Sequence, residues 1–203
     1  MHTQIKENIM NRQAIGGKCA LYPSLTTIVG AEVDGRPNWM TIAHVGIMNH
    51  AMGEFPQYLS IGVHPSHHTS AGIRAHGEFS INIPSRAMLA ETDYVGIVSG
   101  KNTDKSGIFP VQNGKLAHAP MIADCPISIE CRLAQTVMAG EHEIFIGEVA
   151  ETWIDEKCLT EGKPDLKKVD PILFDFTRIL YWSLGEIIGK PWNAGKALKN
   201  RER

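Results

Sequence analysis

Between Leu25 and Val33 the chain is rich in Thr, Ile and Val; it then meets Asp34-Gly35 before a second run, Asn38 to Ala43. An Asp-Gly pair between two such runs supplies the positive φ angles of a tight hairpin, so the first ordered unit is constrained to antiparallel strands. The same grammar recurs downstream. Gln57 to Val63 alternates, with Tyr58, Ser60 and Gly62 opposite Leu59, Ile61 and Val63, and Phe79 to Ile83 is closed by Pro84. Ile127, Ile129, Cys131 and Leu133 share one face of a longer strand, and Ile144, Ile146 and Glu148 one face of the next, with the turn at Ala139-Gly140-Glu141-His142. Phe174 and Phe176 predict a last strand. Helical pattern is confined to Ser70–Ala75 with Thr69 as N-cap, to Ser85–Val98, and to a short C-terminal helix over Tyr181–Ile188. Gly100 to Pro110 reads as a polar loop. Many short strands and few helices specify a mainly β barrel or sandwich, not a βαβ sheet.

With 203 residues, 43% hydrophobic and 21% charged, the chain can bury the core of one domain spanning 1–203, its core about 21–155 and its C-terminal extension about 156–203. A formal charge of −2 gives no basic field for a nucleic-acid backbone. The basic clusters, Lys167-Lys168 and Lys196 to Arg203, are short enough to be solvated ends. The first residues, MHTQIKENIMNRQ, lack the apolar core of a signal peptide, and no later stretch reaches the length of a membrane span. Cys19, Cys125, Cys131 and Cys158 have neither CxxC spacing nor disulfide-scaffold density, so reduced thiols in the cytoplasm are expected.

No GxGxxG, P-loop, GxSxG or HExxH pattern occurs, which disfavours Rossmann, P-loop, hydrolase and zincin chemistry. Three clusters stand out. His64-Pro65-Ser66-His67-His68-Thr69 follows a strand and precedes a helix. It lacks zinc-ligand spacing and no metal is expected there. Hydroxyls and helix-start N–H groups suit a phosphate, although the same residues equally describe a polar turn with a capped helix. Asn38-Trp39-Met40-Thr41-Ile42-Ala43-His44 offers a strand edge for hydrogen bonds and a flat apolar surface for a heterocycle, or simply a strand packed in a core. Ser99 to Lys105 places two lysines in a glycine-turned loop.

Taken in order, LYPSLTTIVGAEVDGRPNWMTIAHVG, GIRAHGEFSINIPS, GIVSGKNTDKSGIF, ISIECRLAQTVMAGEHEIFIGEV and the Tyr181 to Gly185 tail resemble the flavin reductase-like FMN-binding split-barrel family, nearest its flavoredoxin branch. The resemblance implies a Greek-key split β-barrel with a few peripheral helices, forming a homodimer with FMN near the subunit interface. Carried over, Asn38, Met40, Thr41 and His44 meet the isoalloxazine edge and ribityl chain, His64, Ser66, His67 and Thr69 surround the phosphate, and Lys105 reaches the cofactor. The family often has Arg or Lys where this chain has its histidine run, and a larger aromatic where His44 stands. His142, in the hairpin turn, corresponds to a position near the nicotinamide side in some reductases. FAD is not excluded, because its adenosine half would extend beyond these residues. The flavin performs the redox step, so no catalytic side chain is assigned. The function implied is electron transfer from NAD(P)H or a redox protein, with a flavin- or nucleotide-binding protein lacking turnover as the alternative.

Overall fold

The computed structural model describes residues 12–49, 53 and 55–198. The segment up to residue 11, and the end of the basic tail from residue 199, lie outside the described residues. The strands used below are β1 (Ser24–Leu25), β2 (Thr27–Val33), β3 (Arg36–Ile42), β4 (Val45–Ile47), β5 (Tyr58–Val63), β6 (Glu78–Ile83), β7 (Ile127–Ala139), β8 (His142–Ile154), β9 (Ile172–Asp175) and β10 (Leu180–Ser183). Two helices matter, α1 (His68–His76) and α2 (Leu89–Ile97).

Seven strands make one antiparallel sheet in the order β3-β2-β6-β7-β8-β5-β4, curled into a half-barrel of mainly β character. Its inner face packs Val29, Ala31, Met40, Ile61, Val63, Phe79, Ile81, Cys131 and Phe145 into one cluster, closed by Ile73 of α1. Each large side chain buried there is worth roughly 1.5–3 kcal/mol of transfer free energy. The predicted hairpin is present: Asp34 (φ 51°) and Gly35 (φ 73°) both take positive φ, and Val33 faces Arg36 across the ladder. β3 ends the sheet, and Pro37, which has no N–H to give, is tolerated on an end strand.

Several sequence expectations are corrected. The first run breaks at Thr26, whose N–H bonds to the Ile172 carbonyl at 2.9 Å, so β1 leaves the main sheet and pairs with β9. The predicted C-terminal helix is β10, an aromatic strand whose Tyr181 and Trp182 lie across from Phe174 and Leu173 of β9. Pairing with a neighbouring strand outweighed the local helical pattern. Phe176 lies beyond the end of β9, where the Asp175 carboxylate accepts from the Thr177 N–H at 2.8 Å and bends the chain. On β8 the core-facing set is Glu143, Phe145 and Gly147, so the Ile144 and Ile146 face looks outward and is only half-buried. Thr69 is not an N-cap. α1 starts earlier, with His67 as N-cap and no side-chain cap bond, while Thr69 sits in the first turn, 1% exposed.

A buried carboxylate organises the loop before β7. Glu130 is fully buried and accepts from the N–H groups of Lys115 (3.0 Å) and Leu116 (2.7 Å) and from Trp153 Nε1 (2.8 Å).

Candidate functional site

β5 ends at Val63, and the turn to α1 is closed by the His67 N–H donating to the His64 carbonyl at 3.0 Å. His64 Nδ1 lies 2.7 Å from Ser66 Oγ and accepts the Ser66 N–H at 3.2 Å, which fixes its ring at the mouth of the turn. The β7–β8 hairpin delivers His142 beside it, rings perpendicular and centroids 6.0 Å apart. His44 lies 6.2 Å beyond His142, and His67 lies 6.1 Å beyond His64. Four imidazoles therefore form one row: His44, His142, His64, His67. The hairpin is held in place from α1, because Arg74 pairs with Glu143 and its Nη2 reaches the Pro65 carbonyl at 3.4 Å.

The electrostatics of this row are one-sided. Burial, first, and then the nearby His64, His142, Lys105 and Lys101 hold the His67 pKa below its ordinary value. Burial chiefly, and the neighbouring groups after it, disfavour a proton on His67, and an incoming anion would offset both. Asp104 is ionised, but its charge is offset by Arg36. Its carboxyl is held below the usual range by the Ser106 hydroxyl and N–H, and it pairs with Arg36 at 2.8 Å.

Lys105 is 4% exposed and gives hydrogen bonds to the Val95 and Val98 carbonyls, both at 3.0 Å, at the end of α2. Burial pushes its pKa down to about 8. It caps that helix, and one donor of its ammonium remains for a ligand.

Two cavities of about 470 Å³ flank β3. The first lies at its start, between Arg36, Asn38, His68 and the Gly100–Lys105 loop. Its wall is tight: Asn38 Nδ2 donates to Thr69 Oγ1 at 2.7 Å, and a Cβ on Gly100 would run into Asn38 Oδ1. The second lies at the end of β3 and is lined by Thr41, Ala43, Ile97, Phe174, Phe176 and Tyr181. Tyr181 donates to Asp93 at 2.8 Å, and burial together with Asp93 pushes its pKa up to about 12, so it remains a phenol. The Thr26 hydroxyl, also on this wall, is buried without a hydrogen-bond partner.

The residues singled out in the sequence are thus partly brought together. His44, His64 and His67 share the row, with Ser66 bonded to His64. Asn38 and Thr69 brace the first cavity from within, and Thr41 lines the second. The Met40 side chain is 7% exposed in the barrel core and lines neither cavity, while Phe174 and Phe176 give the second cavity an apolar wall. Lys101 and Arg36 add to the site; Phe176 was visible only as a strand residue, because its place depends on the β9 turn. The three buried cysteines contribute nothing reactive: burial pushes Cys131 up to about 12 and raises Cys125 and Cys158, leaving weak nucleophiles.

A row of four imidazoles with Lys101 and Lys105 near its His67 end opens beside an apolar cavity, as Phe176 of that cavity lies against His44. A flavoredoxin of Methanosarcina acetivorans superposes with a TM-score of 0.88 at 38% identity, over 93% of this chain and 99% of that one. The flavoredoxin of Desulfovibrio vulgaris (Miyazaki F) does so with 0.81 at 33%, over 92% and 100%. The reductase component of a 4-nitrophenol 4-monooxygenase/4-nitrocatechol 2-monooxygenase from Rhodococcus opacus is 30% identical over 132 residues, 64% of this chain and 65% of that one. Residues 19–182 match the flavin reductase like domain, and with a split-barrel fold shared along its length with two flavoredoxins, this chain belongs to that flavin reductase family.

Proposed function

We propose that the chain is an FMN-dependent oxidoreductase of the cytoplasm that works as a homodimer. The observation that carries this reading is the imidazole row with Lys101 and Lys105 at its end, opening beside an apolar cavity. His64, Ser66 and His67, with the N–H groups of the first turn of α1, would hold the phosphate. Thr69 and Asn38 brace that turn, Lys105 adds one donor, and Thr41 and His44 would meet the ring, with Met40 packing behind the strand. Bound flavin supplies the redox chemistry, taking electrons from NAD(P)H or from a redox protein and passing them on. The protein binds it, orients it and keeps a positive field at its anionic end. The likeness to two flavoredoxins favours a carrier that exchanges electrons with another protein over a reductase of free flavin.

Titration of the purified protein with FMN and with riboflavin tests the site. FMN should bind at least tenfold tighter, and His64→Gln/His67→Gln should remove most of that preference. Equal affinity for the two ligands would sink the phosphate assignment. Steady-state oxidation of NADH and NADPH, against reduction by a redox protein in stopped flow, then separates reductase from carrier.

The pH dependence has a definite sign. In the free protein the His67 pKa is lowered, and a bound phosphate raises it. FMN should therefore tighten as pH falls through the raised value, levelling only below the lowered one, by up to about tenfold per pH unit. Protonation of the phosphate itself, near pH 6, opposes this at the acid end. A slope that persists in His67→Gln would move the proton uptake to another group.

For the dimer, Ile47, Phe55 and Met138 are exposed apolar side chains on or beside β4 and the tip of β7, more than an isolated sheet edge ordinarily shows. Light scattering should report about twice the 22.4 kDa chain mass.

A further inference from the structure

We infer that Glu32, His76 and His118 form a binding site for a divalent transition-metal ion of the zinc class, separate from the proposed flavin site. Their ligand atoms, one from each side chain, lie within 4.8 Å of one another, and this is the one such group among the described residues. Glu32 Oε1 is 3.3 Å from His118 Nδ1 and 3.8 Å from His76 Nε2. Donors bound tetrahedrally at about 2.0–2.1 Å from an ion stand about 3.3–3.4 Å apart, so these spacings are close to those of a first coordination shell.

The bland alternative is a histidine ion pair with the carboxylate. It leaves one atom unexplained. His118 Nδ1 is buried and makes no hydrogen bond, although the carboxylate oxygen is near. The oxygen is close to the nitrogen without being placed to bond it, which leaves that nitrogen available to a metal ion.

Three separately anchored elements carry the donors. Glu32 is on β2, within the ladder to β3. His76 ends α1, immediately before Gly77, whose N–H caps the helix on the Ile73 carbonyl at 2.8 Å. His118 lies in a loop tied at its own backbone: its N–H donates to the Glu78 carboxylate at 2.9 Å and its carbonyl accepts the Glu32 N–H at 3.2 Å. Two imidazoles and one carboxylate are a borderline-soft donor set that suits zinc and its neighbours more than magnesium or calcium, with the remaining positions taken by water. His76 and His118 stack at 4.0 Å with an interplanar angle of 15°, so the rings must turn for both nitrogens to face one ion. Their side chains, 27% and 39% exposed, have room to do so. The site lies at the end of α1 opposite His67, about 13 Å away along a nine-residue helix.

Isothermal titration of the full-length protein with zinc chloride, and with magnesium chloride for contrast, tests the assignment. One equivalent of Zn²⁺ should bind in the micromolar range or tighter, with Mg²⁺ giving no heat. Glu32→Gln and His76→Gln/His118→Gln should each weaken that binding at least tenfold, whereas His64→Gln/His67→Gln should leave it in place. Thermal melts of the same proteins keep the result readable if a variant is less stable: Zn²⁺ should raise the midpoint of the parent and of the His64/His67 variant but not of the Glu32 or His76/His118 variants. Binding that survives in the His76→Gln/His118→Gln variant, or no zinc binding by the parent, would overturn the proposal.

Discussion

Replacing Glu130 with glutamine should lower the free energy of unfolding by about 3 kcal/mol, the largest loss expected from a single isosteric change in this chain. The carboxylate is fully buried and is the only acceptor for three donors, the Lys115 and Leu116 N–H groups and the Trp153 indole N–H. Glutamine keeps one oxygen and turns an NH₂ toward donors, leaving at least one of them unsatisfied in a dry site. Each such group costs about 1–3 kcal/mol. Leucine, which satisfies none, should lose at least as much. Urea unfolding followed by far-UV circular dichroism gives the number, and the Trp153 fluorescence should shift in the same variants because its partner is gone. A loss under about 1 kcal/mol in both variants would mean that water takes over from the carboxylate.

The second large effect is expected from Gly72→Ala on α1. In most helices this change stabilises, by about 1 kcal/mol. Here a Cβ would run into the Glu32 carbonyl oxygen and stand 2.9 Å from Val33 Cγ2, both on β2. Backbone cannot yield as a side-chain tip can, so the helix has to lift from the sheet. Overpacking of this kind costs roughly 1–3 kcal/mol. The lift should also spread to both ends of the helix, weakening FMN by at least tenfold through His67 and Ser66. A variant as stable as the parent, with unchanged FMN affinity, would show that α1 does not rest on β2 as tightly as the geometry requires.

How far the sequence foretold this is best seen element by element. The Asp34-Gly35 hairpin and the Tyr58 to Val63 strand were legible because turn chemistry and period-two alternation are local properties. The histidine run at 64–68 was legible as a polar turn before a helix for the same reason. What the alternation could not disclose was which face of β8 meets the core, since Ile144 and Ile146 are as apolar as Phe145 and only the pairing with β5 and β7 decides. Of the two readings open for Met40, ring contact or a strand packed in a core, the side chain's place in the core followed only from the same long-range pairing. The strand at Tyr181 looked helical because four residues carry too little period to tell the two apart, and β9, its partner, supplies the missing constraint. His142 and Glu32 gain their neighbours only from contacts far along the chain, which no window of sequence contains.

The β7–β8 hairpin, thirteen residues in each strand, is bound along the turn end of β8 to β5, from Glu143 opposite Val63 to Glu148 opposite Tyr58. Its tip is therefore held twice, by that ladder and by the pair between Arg74 and Glu143, next to His142. The ladder stays in place when the Arg74–Glu143 pair is altered, and what is released is the turn with the His142 imidazole, which stands between His44 and His64 in the row. A turn anchored in this way is where drift between related chains can alter what the pocket accepts without touching the core.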